Sequence, residues 1–228
     1  DSDIDEQKFF TYARALMEQY FSQKTFLEVY YKQKESIDHE AAYERIETCL
    51  KNFLSSPTYN WLFMKAIQNK DNWMIEPKGY GETRLNGMKA YCKMDFLFPV
   101  EETIHIIDWK TGKKDPIKHE KQIIGYAAAA SNNFGIPWKI IYPRIVYLYP
   151  QYEELEPRIN QDHFTHFYQT VKRESEEMQS YCANPDKNIP KDIETFAKTP
   201  SPGLCRNCNF QELCFPHTNH AEDILSDL

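Results

Sequence analysis

The spacing of the apolar residues changes near Trp73, and this change restricts the possible folds more than any other feature of the sequence. Before Trp73, apolar side chains recur every three or four residues, as on one face of a helix. This spacing predicts helices over residues 6–34, 38–55 and 57–69. After Trp73 the apolar residues alternate, which predicts three consecutive strands over residues 73–84, 88–98 and 103–110.

A crossover helix is predicted over residues 117–132, because Gly135 and Pro137 end the helical spacing there. A strand over 138–149 and a long helix over 161–183 are predicted to follow. Consecutive strands, then a helix and a further strand, predict an α/β fold in which helices flank a mixed sheet. We therefore expect three regions: an N-terminal helical region (1–72), an α/β core (73–183) and a cysteine-rich C-terminal tail (184–228).

Composition excludes several classes of protein. A chain of 228 residues with 41% hydrophobic residues can bury a core, and its seven glycines argue against a glycine-rich nucleotide-binding fold. The sequence contains no run of about 18 apolar residues, so we expect no membrane span. The acidic first residues are unlike a signal peptide, so we expect a cytoplasmic protein. Because the chain begins at Asp1 and not at Met, we also expect it to be a fragment of a longer protein.

The charge of the chain is unevenly distributed. The formal net charge is −7, which argues against a general affinity for nucleic acid. Residues 57–121 nevertheless carry 11 basic and 9 acidic side chains, a net charge of +2. Many of these basic residues are clustered: Lys110, Lys113, Lys114, Lys118 and Lys121. The cluster is either a solvated loop or a DNA-binding surface, for which Lys113, Lys114 and Lys118 are the candidates.

Charged residues interrupt the predicted hairpin at positions where a buried strand should be apolar. With the turn centred between residues 100 and 101, Asp95 is expected opposite Ile106. Strand alternation then places Asp95, Asp108 and Lys110 on one face of the sheet. Two neighbouring carboxylates repel each other, so a fold tolerates them only with a cation or a shared proton. Oxygen ligands of this kind suit Mg²⁺ or Mn²⁺, and the ammonium of Lys110 could orient water or stabilise charge on a reacting phosphate.

Two further polar residues, Gln122 and Tyr126, lie four residues apart on one face of the predicted helix, beside Lys118. Alone they would be an ordinary helix flank. Together with Asp95 and the string Ile-Ile-Asp-Trp-Lys-Thr-Gly-Lys (106–113), they resemble the PD-(D/E)XK nuclease superfamily. The resemblance covers residues 73–150 and is closest to the RecB-like branch, which includes helicase-associated nuclease domains and CRISPR-associated 4Fe–4S exonucleases.

This resemblance implies a restriction-endonuclease-like core and a role for each matching residue. Asp95 and Asp108 would bind the divalent metal together with the backbone carbonyl of Trp109. Lys110 would position or activate the attacking water. The side chains that would line the site and touch the DNA strand are Gln122 and Tyr126.

The superfamily usually supplies one more acid, on the strand that precedes Asp95. Glu76 or Glu82 could fill that place. We favour Glu76, because it follows the apolar pair Met74–Ile75.

The C-terminal tail contains a compact set of thiols: Cys205, Cys208 and Cys214. Thiolates at this spacing can reach one metal centre, although buried cysteines can also pack as small apolar residues. The resemblance to RecB-like nucleases implies a [4Fe–4S] cluster completed by a distant N-terminal cysteine, and only Cys49 precedes the core. His217, three residues after Cys214, offers a Cys₃His zinc site as the alternative.

The sequence therefore predicts a divalent-metal-dependent DNA nuclease, either an exonuclease or the nuclease module of a helicase–nuclease repair system. Its partners would be single-stranded DNA or duplex ends and a helicase in cis or in trans, with no membrane. One alternative is a catalytically silent, nuclease-like module that binds DNA or a partner protein. Another is a structural zinc or iron–sulfur interaction module. Retention of Asp95, Asp108 and Lys110 argues against the silent module.

Overall fold

The computed structural model describes residues 5–76, 82–85, 87–199, 201–205 and 207–214. No helix within these ranges is long and apolar enough to cross a membrane. The α-helices are α1 (Glu6–Ser22), α2 (Leu27–Tyr30), α3 (His39–Leu54), α4 (Pro57–Met64), α5 (Pro116–Phe134), α6 (Gln161–Ser180), α7 (Pro202–Cys205) and α8 (Gln211–Cys214). The strands are β1 (Met74–Ile75), β2 (Glu82–Leu85), β3 (Met88–Tyr91), β4 (Phe96–Val100), β5 (Thr103–Lys110), β6 (Ile141–Tyr147), β7 (Glu153–Leu155), β8 (Cys182–Asn184) and β9 (Ile189–Pro190).

The chain forms two compact units. The central unit is Thr48–Pro190, and the terminal unit combines Asp1–Glu47 with Lys191–Leu228. The main sheet belongs to the central unit, and the cysteine cluster belongs to the terminal unit. The boundaries expected from sequence character, after residues 72 and 183, remain predictions.

The main sheet has the order β1-β4-β5-β6-β7. β4 and β5 are antiparallel, whereas β5 and β6 are parallel and are connected through α5. Parallel neighbours need such a crossover, because the chain must return to the other end of the sheet before the second strand can begin, and a short turn cannot span that distance. The expectation of an α/β fold with helices flanking a mixed sheet is confirmed.

Each face of the sheet carries its own apolar core. The face with Ile106 packs against α5 and α6 through residues such as Ile123 and Phe164. The opposite face, with Ile107, packs against the end of α3 and against α4, through residues such as Leu62. The candidate site lies on the α5 side.

Helix α5 begins one residue before and ends two residues after the predicted range of 117–132. The Asp115 side chain accepts a hydrogen bond from the Lys118 N–H (3.1 Å), and Pro116 occupies the first turn. Gly135 ends the helix with a φ of 64°, a conformation that glycine adopts without strain. At Gly125 a Cβ atom would lie 2.9 Å from the Phe167 ring, so the missing side chain lets α6 approach α5 closely.

Other predicted elements differ from those observed. The strand predicted over 103–110 is confirmed. Of the described residues within the strand predicted over 73–84, only Met74–Ile75 belong to the main sheet, and Glu76, with a φ of 36°, follows directly after β1. The strand predicted over 88–98 is divided into β3, which pairs with β2, and β4, which pairs with β5. In the terminal unit the helix predicted over 6–34 ends at Ser22, where the chain turns and the Phe26 ring packs on Phe21 at 4.9 Å.

Candidate active site

The pairing of β4 with β5 brings two carboxylates together. The hairpin turns at Glu101–Glu102, with Glu101 at a φ of 53°, so that Val100 pairs with Thr103 and Phe96 with Ile107. One step further along this register, Asp95 lies opposite Asp108, and the predicted partner Ile106 is therefore wrong. The expected face is nevertheless correct, because a change of two residues in the pairing leaves a side chain on the same side of a strand.

Asp95 and Asp108 lie in different environments. Asp95 accepts a hydrogen bond at Oδ2 from the backbone N–H of Trp109, at 2.9 Å. Asp108 is 1% exposed, and its Oδ2 lies 2.6 Å from the ammonium of Lys110. That oxygen accepts no well-aligned hydrogen bond from the described residues. A buried carboxylate oxygen whose hydrogen-bonding capacity is not filled can take a metal ion as a further partner beside the ammonium.

The pKa of Asp108 is raised above its ordinary value. Burial is the main cause, because it disfavours the charged carboxylate, and the nearby charge of Asp95 acts in the same direction. The ammonium of Lys110 opposes both effects. A bound divalent cation would relieve the same repulsion between the carboxylates.

A chain of hydrogen bonds connects Lys110 to α5. The Lys110 ammonium donates to Gln122 Oε1 at 2.7 Å, and the Gln122 amide nitrogen donates to the Tyr126 hydroxyl at 2.6 Å. Tyr126 is 8% exposed, and burial raises the pKa of its hydroxyl, so the phenol stays protonated. The structure thus brings together the predicted residues Asp95, Asp108, Lys110, Gln122 and Tyr126.

Sequence reasoning missed a second pair beside this chain. His119 Nδ1 and the Tyr147 hydroxyl are hydrogen-bonded at 2.9 Å, and both side chains are buried. Tyr147 lies next to Lys110 in the parallel register of β5 and β6. Burial and the charge of Lys110 lower the pKa of His119, which favours an uncharged ring. Helical spacing could have identified this residue, since His119 precedes Gln122 by three positions on α5.

The candidates for a third acid lie in different places. The Glu76 N–H donates to the backbone oxygen of Asp95 at 2.9 Å, so its backbone adjoins the site. Its carboxylate is exposed and pairs with Lys93 at 3.1 Å. Glu82 belongs to the β2–β3 hairpin and pairs there with Tyr91, outside the main sheet. The role expected of Glu76 remains a prediction.

The three lysines expected to contact DNA are exposed, but they differ in their partners. Lys114 forms an ion pair with Glu153, and its ammonium lies 5.5 Å from the centre of the Tyr147 ring. Lys113 and Lys118 form no ion pair with any residue that the structure describes. These two are therefore the more available cations.

The cysteine segment lies in the terminal unit. None of the six cysteines forms a disulfide. The Ser201 N–H donates to the Cys205 sulfur and the Phe210 N–H to the Cys208 sulfur, both at 3.3 Å. Among the described residues, no three His, Cys, Asp or Glu side chains converge as ligands of one metal ion.

Of the two expected fourth ligands of the cysteine cluster, Cys49 lies within the described residues. It belongs to α3 and is buried in the apolar core that also includes Leu62 of α4. His217 lies outside the described residues. The iron–sulfur and zinc sites both remain predictions.

Comparison with known proteins identifies the family. Residues 5–215 match the PD-(D/E)XK nuclease superfamily, and the chain belongs to it. No curated protein matches the sequence. Among solved structures, the chain is similar to a candidate exonuclease from Eubacterium rectale, with 14% identity, 88% of this chain and 78% of that chain covered, and a TM-score of 0.43. It is also similar to the protein designated SSO0001, with 16% identity, 92% and 96% covered, and a TM-score of 0.35.

Proposed function

We propose that this protein is a divalent-metal-dependent deoxyribonuclease that hydrolyses phosphodiester bonds at the site formed by Asp95 and Asp108. One observation carries the proposal. The buried Oδ2 of Asp108 accepts no aligned hydrogen bond, although it lies beside a second carboxylate and 2.6 Å from the Lys110 ammonium. Membership of a nuclease superfamily supports the same conclusion.

The residues present fit a divalent cation. Mg²⁺ is commonly held by one or two carboxylates, with water and substrate phosphate completing its shell, so a third acidic side chain is not required. Asp95 and Asp108 would supply the carboxylates, and the backbone carbonyl of Trp109 is the further protein ligand that we propose. When bound, the cation neutralises phosphate charge and lowers the pKa of the attacking water.

The remaining residues act on the phosphate and on one another. Lys110 places a positive charge at the end of β5, where it can stabilise the charge that develops on the phosphate oxygens. Gln122 accepts a hydrogen bond from this ammonium and so limits where it can point. Tyr126 accepts from the amide of Gln122, which orients the amide with its oxygen towards Lys110. Lys113 and Lys118 would contact the phosphates of neighbouring nucleotides.

We further propose an exonuclease of the RecB-like branch, or the nuclease module of a helicase–nuclease repair system in the cytoplasm. The spacing of Cys205, Cys208 and Cys214 in the sequence supports this branch, because three thiols at this spacing can reach one metal centre.

Cleavage of labelled DNA tests the activity. Single-stranded and duplex substrates are incubated with the protein in Mg²⁺, in Mn²⁺ and in EDTA, and Asp108→Asn protein purified in the same way serves as the control. We expect degradation by the wild type only when metal is present, and none by the variant. Degradation that survives EDTA, or that the variant also shows, would contradict the proposal. DNA binding without cleavage under all conditions would support the silent module instead.

A further inference from the structure

A polar cavity lies in the central unit at the start of β6, apart from the candidate active site. It has a volume of about 420 Å³. It exists because β7 is short. β7 pairs with Ile145–Tyr147, so the edge of Ile141–Arg144 that faces away from β5 has no paired strand among the described residues. The chain that follows β7, residues 156–159, forms the other wall. Residues 141–147 span about 20 Å at the usual rise of a strand, so the cavity is far from the Lys110 end of the sheet.

Positive charge predominates in this cavity. Its walls include Lys139, Arg144 and Arg158 but only one acid, Glu156. Arg144 is neutralised, since it pairs with Glu154 at 2.8 Å and also with Glu156. Lys139 and Arg158 are exposed and form no ion pair with any described residue. Two unpaired cations in one cavity of a chain with a net charge of −7 indicate an anionic ligand.

A stack of three aromatic rings reaches the wall of this cavity. The rings of Phe98 and His105 are stacked with centres 5.7 Å apart, and those of His105 and Tyr142 with centres 5.4 Å apart. Burial and the charge of Arg144 lower the pKa of His105 to about 4, so the middle ring is uncharged at neutral pH. Tyr142 is 52% exposed and lines the cavity, and a planar group could therefore continue the stack. Trp138, with the Lys139 ammonium 5.8 Å from its ring centre, lies in the same wall.

A peptide strand added to the open edge of β6 would explain the cavity less well. The Ile141 N–H already donates to the Trp138 oxygen, and Pro143 has no N–H. These residues therefore offer an added strand few of the donors that β-sheet pairing requires.

We propose that this cavity binds a phosphorylated nucleoside, with the base stacked on Tyr142 and the phosphate held by Lys139 and Arg158. Stacking on an aromatic ring tolerates every base, and lysine and arginine supply the charge that a phosphate needs. The ligand is either a terminal nucleotide of a DNA strand or a free nucleotide. The site is separate from the Asp95–Asp108 site and does not depend on the proposed nuclease activity.

Binding without catalysis tests this site. The probes are a fluorescein-labelled, 5′-phosphorylated dT10, followed by anisotropy in EDTA, and AMP, followed by calorimetry. The variants are Lys139→Ala/Arg158→Ala, Tyr142→Ala and Tyr142→Phe. The matched control is Lys172→Ala/Arg173→Ala, which removes one lysine and one arginine from α6. Circular dichroism confirms that each variant is folded.

If the ligand is a strand end, the Lys139/Arg158 double variant should bind dT10 at least about tenfold more weakly than the control. The slope of log affinity against log salt should also fall by about 1.4, which corresponds to two phosphate contacts on a single strand. If the ligand is a free nucleotide, AMP should bind the wild type and the control but not the double variant, while dT10 binding stays the same.

In either case Tyr142→Ala should weaken binding and Tyr142→Phe, which keeps the ring, should not. Binding of both probes that is equal in the double variant and the control would overturn the proposal. Cleavage assays are not involved, so a failure here is distinct from a failure of the proposed nuclease function.

Discussion

The carboxylate of Asp95 accepts a hydrogen bond from the backbone N–H of Trp109. The residue before β4 is therefore bonded to β5 at the position between Asp108 and Lys110. The contact gives Asp95 two separate properties: it is a hydrogen-bond acceptor for the fold and a negative charge for the site. Substitutions can separate these two properties.

Asp95→Asn should keep the stability of the fold and lose the activity, whereas Asp95→Ala should lose the activity and also destabilise the fold. The asparagine oxygen can still accept from Trp109, but it lacks the charge that attracts a cation. Alanine leaves the N–H without this acceptor, which should lower the free energy of unfolding by about 1–3 kcal/mol. Urea unfolding and Mn²⁺ calorimetry measure the two effects. Equal stability of the two variants would contradict the structural role.

Lys110→Ala should lower DNA cleavage by about a thousandfold or more, because the cation that faces the phosphate is lost. It should also destabilise the protein by about 3–5 kcal/mol at pH 8, since Asp108 becomes a buried charge without its ammonium partner. Adding Asp108→Asn should restore the stability but not the activity. Denaturant unfolding of the single and double variants measures this coupling, and a double variant no more stable than Lys110→Ala would show that the ion pair is unimportant.

Gln122→Ala should reduce kcat more than Tyr126→Phe does. Gln122 contacts the Lys110 ammonium directly, whereas the Tyr126 hydroxyl contacts the amide of Gln122 and not the ammonium. We expect reductions of about 30-fold and about threefold, estimated from the worth of one hydrogen bond to a charged group and of one between neutral groups. Steady-state kinetics on a labelled oligonucleotide gives both values. A larger effect of Tyr126→Phe would mean that Tyr126 acts on the substrate itself.

His105 should make the protein less stable in mild acid. Its pKa is lowered to about 4 in the folded state, mainly by burial, while the unfolded chain has an ordinary histidine pKa near 6.5. Between these values only the unfolded state takes up the proton. The free energy of unfolding is therefore unaffected by His105 above about pH 6.5, and it falls by up to about 3 kcal/mol as the pH approaches 4.

His105→Phe keeps an aromatic ring in the stack and removes this titration. From pH 7 to pH 4 the unfolding free energy of the wild type should fall by about 3 kcal/mol more than that of the variant, because the other titrating groups are common to both proteins. Unfolding curves at several pH values measure it. Parallel pH profiles would contradict the assignment.

Cys208→Ser should release the metal of the cysteine segment and expose that segment to protease. Anaerobically purified protein should contain either iron with sulfide, and broad absorption near about 400 nm, or one equivalent of zinc. Elemental analysis distinguishes the two. Protein that holds neither metal, and whose protease resistance is unchanged in Cys208→Ser, would show that the cysteines only pack.

The sequence alone determined which elements form the site and which faces they present. Alternating apolar residues predicted β5 over residues 103–110, and its flanking signals predicted α5. The common face of Asp95, Asp108 and Lys110 followed from the two-residue period of a strand, which tolerates an error of two residues in the pairing. Local spacing on a helix likewise placed Gln122 and Tyr126 together.

Only the tertiary structure decided which residues meet across elements. The conformation of Glu101 set the turn that pairs Asp95 with Asp108. Residues 82–85 pair with β3 in a separate two-stranded sheet and not in the main sheet. The ion pair of Lys114 with Glu153 joins residues far apart in the chain. Local periodicity carries no information about such contacts, because they depend on how whole elements pack and on which neighbour lies within reach once they have packed.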